Sequence, residues 1–156
     1  MSQITAEQRF NNRVSEFKKV HVSSRMPDML HHALQLAMPT DSDDVRSYLL
    51  SAVGVRADNK IVNSKNGAVF STTAGNFQRI PLSHAESRLC RKLDLGSTVY
   101  VARLSKLTMS SAMARPCSVC QNHLRAKKVS RVFYTINSEN FGIWYPQTDT
   151  DKIFSL

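Results

Sequence analysis

Arg131-Val132-Phe133-Tyr134-Thr135-Ile136-Asn137-Ser138-Glu139-Asn140-Phe141-Gly142-Ile143-Trp144-Tyr145 is the stretch on which the fold turns. Its two runs, Arg131 to Ile136 and Phe141 to Tyr145, are rich in β-branched and aromatic residues and read as strands. Only Asn137-Ser138-Glu139-Asn140 separates them, too short a link for a parallel crossover, so the pair is predicted to be an antiparallel hairpin. Upstream, Ser118 to Lys127 reads as a helix with cations at its C-terminal end, where the helix dipole favours them. Ser105 to Arg115 reads as a long loop, and Thr98-Val99-Tyr100-Val101-Ala102 as a buried strand.

Further back, a short helix runs from about Ala85 to Leu93 and is closed by Gly96. Tyr48 to Arg56 and Ile61 to Ser71 read as strands joined by the turn Ala57-Asp58-Asn59-Lys60, the second interrupted near Asn66-Gly67, and Thr72 to Leu82 as a loop. The order strand, helix, strand, helix, strand implies parallel central strands with right-handed crossovers. The predicted fold class is therefore α/β: a five-stranded mixed sheet covered by helices, ending in an antiparallel hairpin.

The first 40 residues read as two helices. Thr5-Ala6-Glu7-Gln8 has the pattern of a capping box, after which Phe10, Val14, Phe17 and Val20 recur at helical spacing. The second helix is predicted to begin at Pro27 and stop before Pro39, with Met29, Leu30, Ala33, Leu34, Ala37 and Met38 as its apolar face. The expected organisation is an N-terminal helical segment over 1–47, the principal domain over 48–146 and a C-terminal tail over 147–156.

Composition narrows the function. A chain of 156 residues, 42% of them hydrophobic, suits one folded domain and argues against wholesale disorder. Met1-Ser2-Gln3-Ile4-Thr5 lacks the basic-then-apolar pattern of a signal peptide. The longest near-apolar run, Tyr48 to Val55, is far short of a membrane span. Together these predict a soluble, cytoplasmic protein with no membrane partner. Three cysteines, Cys90, Cys117 and Cys120, make an odd set ill suited to a disulfide scaffold. The net charge of +9 favours anionic partners, and it is unevenly spread: from Lys60 to Thr135 there are 13 Lys and Arg against Glu86 and Asp94 alone. The plainer reading of that run is a solvated face.

Two short pieces carry chemistry. Ser83-His84-Ala85-Glu86 and Arg115-Pro116-Cys117-Ser118-Val119-Cys120 each lie at the predicted start of a helix that follows a loop, and both helices are expected to start at one edge of the sheet. Zinc takes imidazole and thiolate ligands, and a catalytic site keeps its fourth position for water. His84, Cys117 and Cys120 leave that position open. Helix N-termini favour thiolates, and zinc brings water to ionise near neutral pH. Glu86, two residues after His84, is the candidate proton shuttle.

His84-Ala85-Glu86 followed by Pro116-Cys117-Ser118-Val119-Cys120 resembles the signature of the cytidine and deoxycytidylate deaminase superfamily, a pattern recorded for zinc deaminases. The resemblance extends over roughly Tyr48 to Tyr145. It implies a three-layer fold with helices on both faces of the sheet, and hydrolysis of the exocyclic amine of cytosine. A zinc-activated water attacks C4 while Glu86 protonates N3 and then passes a proton to the departing amine. It also implies an asparagine near the end of the second strand that holds the sugar; Asn66 is the first candidate and Asn63 the second, with Ala85 as a further substrate contact.

Simpler readings stand beside these. Ser83 and Glu86 also match a capping box. Cys117 and Cys120 have the spacing of a redox pair, although no thioredoxin-like pattern leads into them. Cys117, Cys120 and His123 form a rival ligand set, but positions three apart on a helix drift by about 60° per step and fan apart; His123 reads as exposed or packed. Cys90 reads as a small buried residue, and His31 and His32 as surface or core histidines. Asn66-Gly67 reads equally as a bulge or turn.

Three functions follow. The first is deamination of a cytidine or deoxycytidine nucleoside or nucleotide. The second is deamination of cytosine in single-stranded DNA or RNA, favoured by the basic segment. The third is a non-enzymatic, zinc-stabilised nucleic-acid-binding module, which gives Glu86 no task. The short hairpin link argues against an adenosine-acting relative: by resemblance, the tRNA adenosine deaminases insert a helix before the last strand. A homo-oligomer is compatible with the sequence.

Overall fold

A computed structural model of the chain describes residues 5, 8, 25–39, 49–66, 71–72, 79–80 and 84–156. Thr5 and Gln8 exchange the reciprocal bonds of a capping box: each backbone N–H donates to the other's side-chain oxygen, at 2.9 and 3.1 Å. The helix expected beyond them, with Phe10, Val14, Phe17 and Val20, lies outside the described residues.

Helix α1, Asp28–Ala37, starts where the sequence predicts. The Pro27 carbonyl accepts from the N–H groups of Leu30 and His31 at 3.0 Å, and Asp28 places a negative charge in the first turn. Leu30, Ala33, Leu34 and Ala37 form its fully buried stripe. Strand β1, Leu49–Val55, turns at Asn59, whose φ is 68°, into β2, Ile61–Lys65. Ser71–Thr72 and Arg79–Ile80 form a separate two-stranded ladder, β3 and β4. The second predicted strand, Ile61 to Ser71, is thus not one strand: it leaves the main sheet at Lys65.

Helix α2, Ala85–Cys90, leads to β5, Thr98–Leu104. A tight turn around Met109, whose φ is 53°, returns the chain as β6, Ser111–Ala112. Helix α3, Ser118–Ala126, is followed by β7, Arg131–Thr135, then β8, Asn140–Tyr145, and β9, Thr150–Ser155. The main sheet has seven strands in the order β2-β1-β5-β7-β8-β9, with β6 paired to the end of β5.

The predicted count of five is corrected by β6 and β9. β6 is only two residues long and sits within the stretch read as loop. β9 arises from residues read as a tail, because it is an edge strand exposed along its whole length and offers no buried alternation to read. It is held by its ladder to β8 and by the turn at Asp149, φ 51°, whose carboxylate accepts the Trp144 indole N–H at 2.9 Å.

The parallel and antiparallel pairings follow the loop lengths. β7 and β8 form the predicted antiparallel hairpin, with Thr135 opposite Phe141. β5 and β7 are parallel, with Val99 opposite Val132 and α3 as the crossover. β1 is antiparallel to both β2 and β5, so β2 and β5 run the same way with β1 between them. The loops that follow β2 and β5 therefore leave from the same edge of the sheet.

Alternation along the strands divides the core in two. On one face α1 packs on Leu49, Val53, Leu104, Phe133, Phe141 and Ile143. On the other, α2 and α3 pack on Ala52, Val99, Val101, Val132, Tyr134 and Trp144. Among the described residues no helix is long and apolar enough to cross a membrane.

Candidate metal centre

His84 and Cys117 occupy the capping positions of α2 and α3, and Cys120 lies in the first turn of α3. Among the described residues neither helix has a side-chain cap bond. Ser83, the other half of the possible capping box, lies outside the described residues. The Cys loop is held against the ends of the parallel pair. Ala114 N–H donates to the Thr135 carbonyl at 2.9 Å. The buried Thr135 hydroxyl donates to the Ala112 carbonyl at 2.7 Å and accepts from Arg103 N–H at 3.1 Å. Gln121 Nε2 reaches back to the Pro116 carbonyl at 2.9 Å.

The two segments, 33 positions apart in sequence, meet here. His84 Nδ1 is 3.8 Å from Cys117 Sγ and 3.5 Å from Cys120 Sγ. The ligand atoms of all three residues lie within 4.8 Å of one another. Zinc–sulfur bonds of about 2.3 Å and zinc–nitrogen bonds of about 2.0–2.1 Å at tetrahedral angles put sulfur and nitrogen ligands about 3.6 Å apart. Both sulfur–nitrogen separations match that figure, so the three residues fit a metal such as zinc. The rival set with His123 is not what the fold gathers: among the described residues the cluster consists of His84, Cys117 and Cys120.

Burial dominates the electrostatics of the cluster. Burial holds the His84 imidazole below its ordinary pKa, which favours the neutral, metal-binding form. Burial, and next the neighbouring Glu86, push the Cys120 thiol well up. Burial also raises the Glu86 carboxyl to about 7, against the lowering effect of hydrogen bonds, one of them with Cys120. Binding of a divalent ion would favour the deprotonated thiolate over the buried thiol. Glu86 is only 3% exposed, and among the described residues its Oε1 has no hydrogen-bond partner. A buried carboxylate oxygen left open next to a metal-ligand cluster is costly to the fold and marks a site for another polar group.

Ser87 and His123 are neighbours of this centre that sequence reading missed as a pair. The buried Ser87 hydroxyl lies 3.4 Å from Cys120 Sγ and 3.1 Å from His123 Nδ1. The sequence signal was Ser87 itself, directly after Glu86 in the first turn of α2. Cys90, by contrast, is a buried free thiol pushed up to about 11 by burial, as expected of a packing residue.

The substrate candidates fall in different surroundings. Asn66 is buried one position beyond β2; its Oδ1 accepts from Leu50 N–H, and its own N–H donates to the Leu50 carbonyl, both at 3.1 Å. That oxygen is thus engaged in ending the β1–β2 ladder. Asn63 is exposed on β2, its carbonyl accepting from Lys92 Nζ at 2.6 Å. Ala85 is fully buried, and its carbonyl accepts the Ser64 hydroxyl. No protein-family model, curated protein or solved structure matches the chain.

Proposed function

We propose that this chain is a zinc-dependent hydrolytic deaminase that converts cytosine to uracil in a cytidine or deoxycytidine nucleoside or nucleotide. The observation that carries the reading is the buried Oε1 of Glu86, without a hydrogen-bond partner among the described residues, two residues after His84 and against Cys120. A purely structural zinc site has four protein ligands and no use for such a carboxylate. Among the described residues three potential ligands are gathered, and the Glu86 carboxyl lies against one of them, Cys120.

In this reading His84, Cys117 and Cys120 hold the ion. Bound zinc supplies Lewis acidity, which brings the ionisation of a water molecule close to neutral pH. Glu86 would take a proton from the attacking water and give it to ring N3 as a C4–O bond forms. Glu86 would then take the second proton, from the new C4 hydroxyl, and deliver it to the exocyclic amine, so that the C4–N bond breaks, C4=O forms and ammonia leaves.

A polynucleotide substrate is the second reading, favoured by charge. Arg88, Arg91, Lys92, Lys128 and Arg131 are exposed. Arg88 and Lys92 donate to the backbone carbonyls of Lys65 and Asn63, contacts that leave their charge un-neutralised. Such a surface suits a phosphate backbone.

The test is ammonia release from a panel of cytidine, deoxycytidine, their monophosphates, single-stranded DNA and single-stranded RNA. Zinc-loaded protein is expected to form uracil from at least one of them and to stop when the zinc is chelated. Zinc-loaded protein that deaminates none of them would contradict the reading.

A further inference from the structure

We propose that Asp151, on the edge strand β9, is a positioning residue for the metal centre, acting through Arg115 to fix the loop that presents Cys117. The proposal rests on the reading of His84, Cys117 and Cys120 as zinc ligands. Cys120 is fully buried, and the core around it fixes its sulfur. Cys117 is exposed, so the position of its sulfur depends on the backbone of the loop before it. That loop has two inward anchors, Ala114 on the Thr135 carbonyl and Pro116 on Gln121. Between them Arg115 turns outward, two positions before Cys117.

Arg115 Nε and Nη2 donate to the two carboxylate oxygens of Asp151, each at 2.9 Å. This forked pairing fixes the plane of the guanidinium as well as its position. Asp151 accepts a further bond, at 2.5 Å, from the hydroxyl of Tyr134. Tyr134 is 2% exposed, and its ring lies where a side chain on Gly142 would stand. The phenol is therefore held by the core. The guanidinium also lies over the Trp144 ring, 5.8 Å from its centroid. A chain of contacts thus runs from the buried Tyr134 through Asp151 and Arg115 to the Cys117 loop.

The test compares three variants of the full chain in zinc release to a chromophoric chelator, in the thiolate-to-cobalt absorption band after cobalt substitution, and in thermal melting. Asp151→Asn keeps the shape but loses the charged fork; Arg115→Lys keeps the charge but loses the fork. Phe154→Ala loosens β9 from its other side, where Phe154 stacks on Phe141 at 5.2 Å, without touching Arg115. Asp151→Asn and Arg115→Lys are each expected to release zinc about tenfold faster and to weaken the cobalt band, the usual scale for groups that orient metal ligands. Phe154→Ala is expected to melt earlier but release zinc at the wild-type rate when folded. Should Asp151→Asn fail to fold, Arg115→Lys carries the same comparison. Wild-type zinc release in both fork variants would overturn the proposal, as would equally fast release in Phe154→Ala. A wild-type chain that binds no zinc would overturn the metal centre itself, and the positioning role with it.

Discussion

The two faces of the sheet are built from the same strands by opposite rules. On the α1 face the core is apolar and aromatic, with Tyr100 and Phe133 stacked at 4.6 Å and Phe133 followed by Phe141 and Phe154 across the strands. Its buried hydroxyl, Ser51, is satisfied by the Ala33 carbonyl. The α2–α3 face has an apolar cluster of its own, yet it also encloses Glu86, Ser87 and Cys120, and one carboxylate oxygen there has no hydrogen-bond partner among the described residues. Buried polar groups are normally paired. One face therefore serves stability, while the other gives up some of it at the edge where two helices begin.

The sharpest way to break that comparison is Glu86→Gln. On the proposed reading ammonia release should fall by about 10²–10⁴-fold. Thermal stability should hold or rise, since a buried unpaired carboxyl is replaced by a neutral amide. Parallel turnover and melting measurements check it; a large loss of stability with turnover retained would reverse the assignment of the two faces.

Next in size is Leu34→Ala on α1. Leu34 is fully buried, and its truncation should cost about 2–5 kcal/mol, seen as a lower denaturation midpoint. Turnover per folded molecule should be unchanged. Removal of zinc by a chelator should act in the opposite sense: turnover lost, and a fall in melting temperature that excess zinc restores, because a ligand bound only to the folded state stabilises it in proportion to ln[zinc].

The smallest expected effect is an acid-limb change at Asp151. The hydrogen bonds and charge of Arg115 hold its carboxyl below the usual aspartate range. A folded-state pKa below the unfolded value gives stability that is present above the unfolded value, about 3.9, and lost as pH falls through the folded one. Asp151→Asn should therefore flatten the loss of stability at acid pH. For a partly exposed pair the effect is about 0.2–1 kcal/mol, read by melting across pH 2–6.

Much of the architecture was legible because it rests on local pattern. The link from Asn137 to Asn140 dictated the hairpin, and helix α1 was bounded by Pro27 and Pro39. β9 was not legible, because a fully exposed edge strand lacks the alternation that identifies a strand, and its hold on the protein lies in its ladder to β8 and in side-chain bonds, such as Asp151 with Arg115 and Tyr134, that form only across the fold. In the site, His84, Cys117 and Cys120 stood out by residue type and spacing. Ser87, His123 and Thr135 did not, since a hydroxyl or imidazole gains its role from what tertiary packing sets beside it.

X-ray absorption at the zinc edge of the purified, zinc-loaded chain tests the centre most directly. The account predicts one zinc per chain, with two sulfur neighbours at about 2.3 Å and two nitrogen or oxygen neighbours at about 2.0–2.1 Å, one of them exchangeable with solvent. Absence of bound zinc, or a shell closed by four protein ligands, would contradict it.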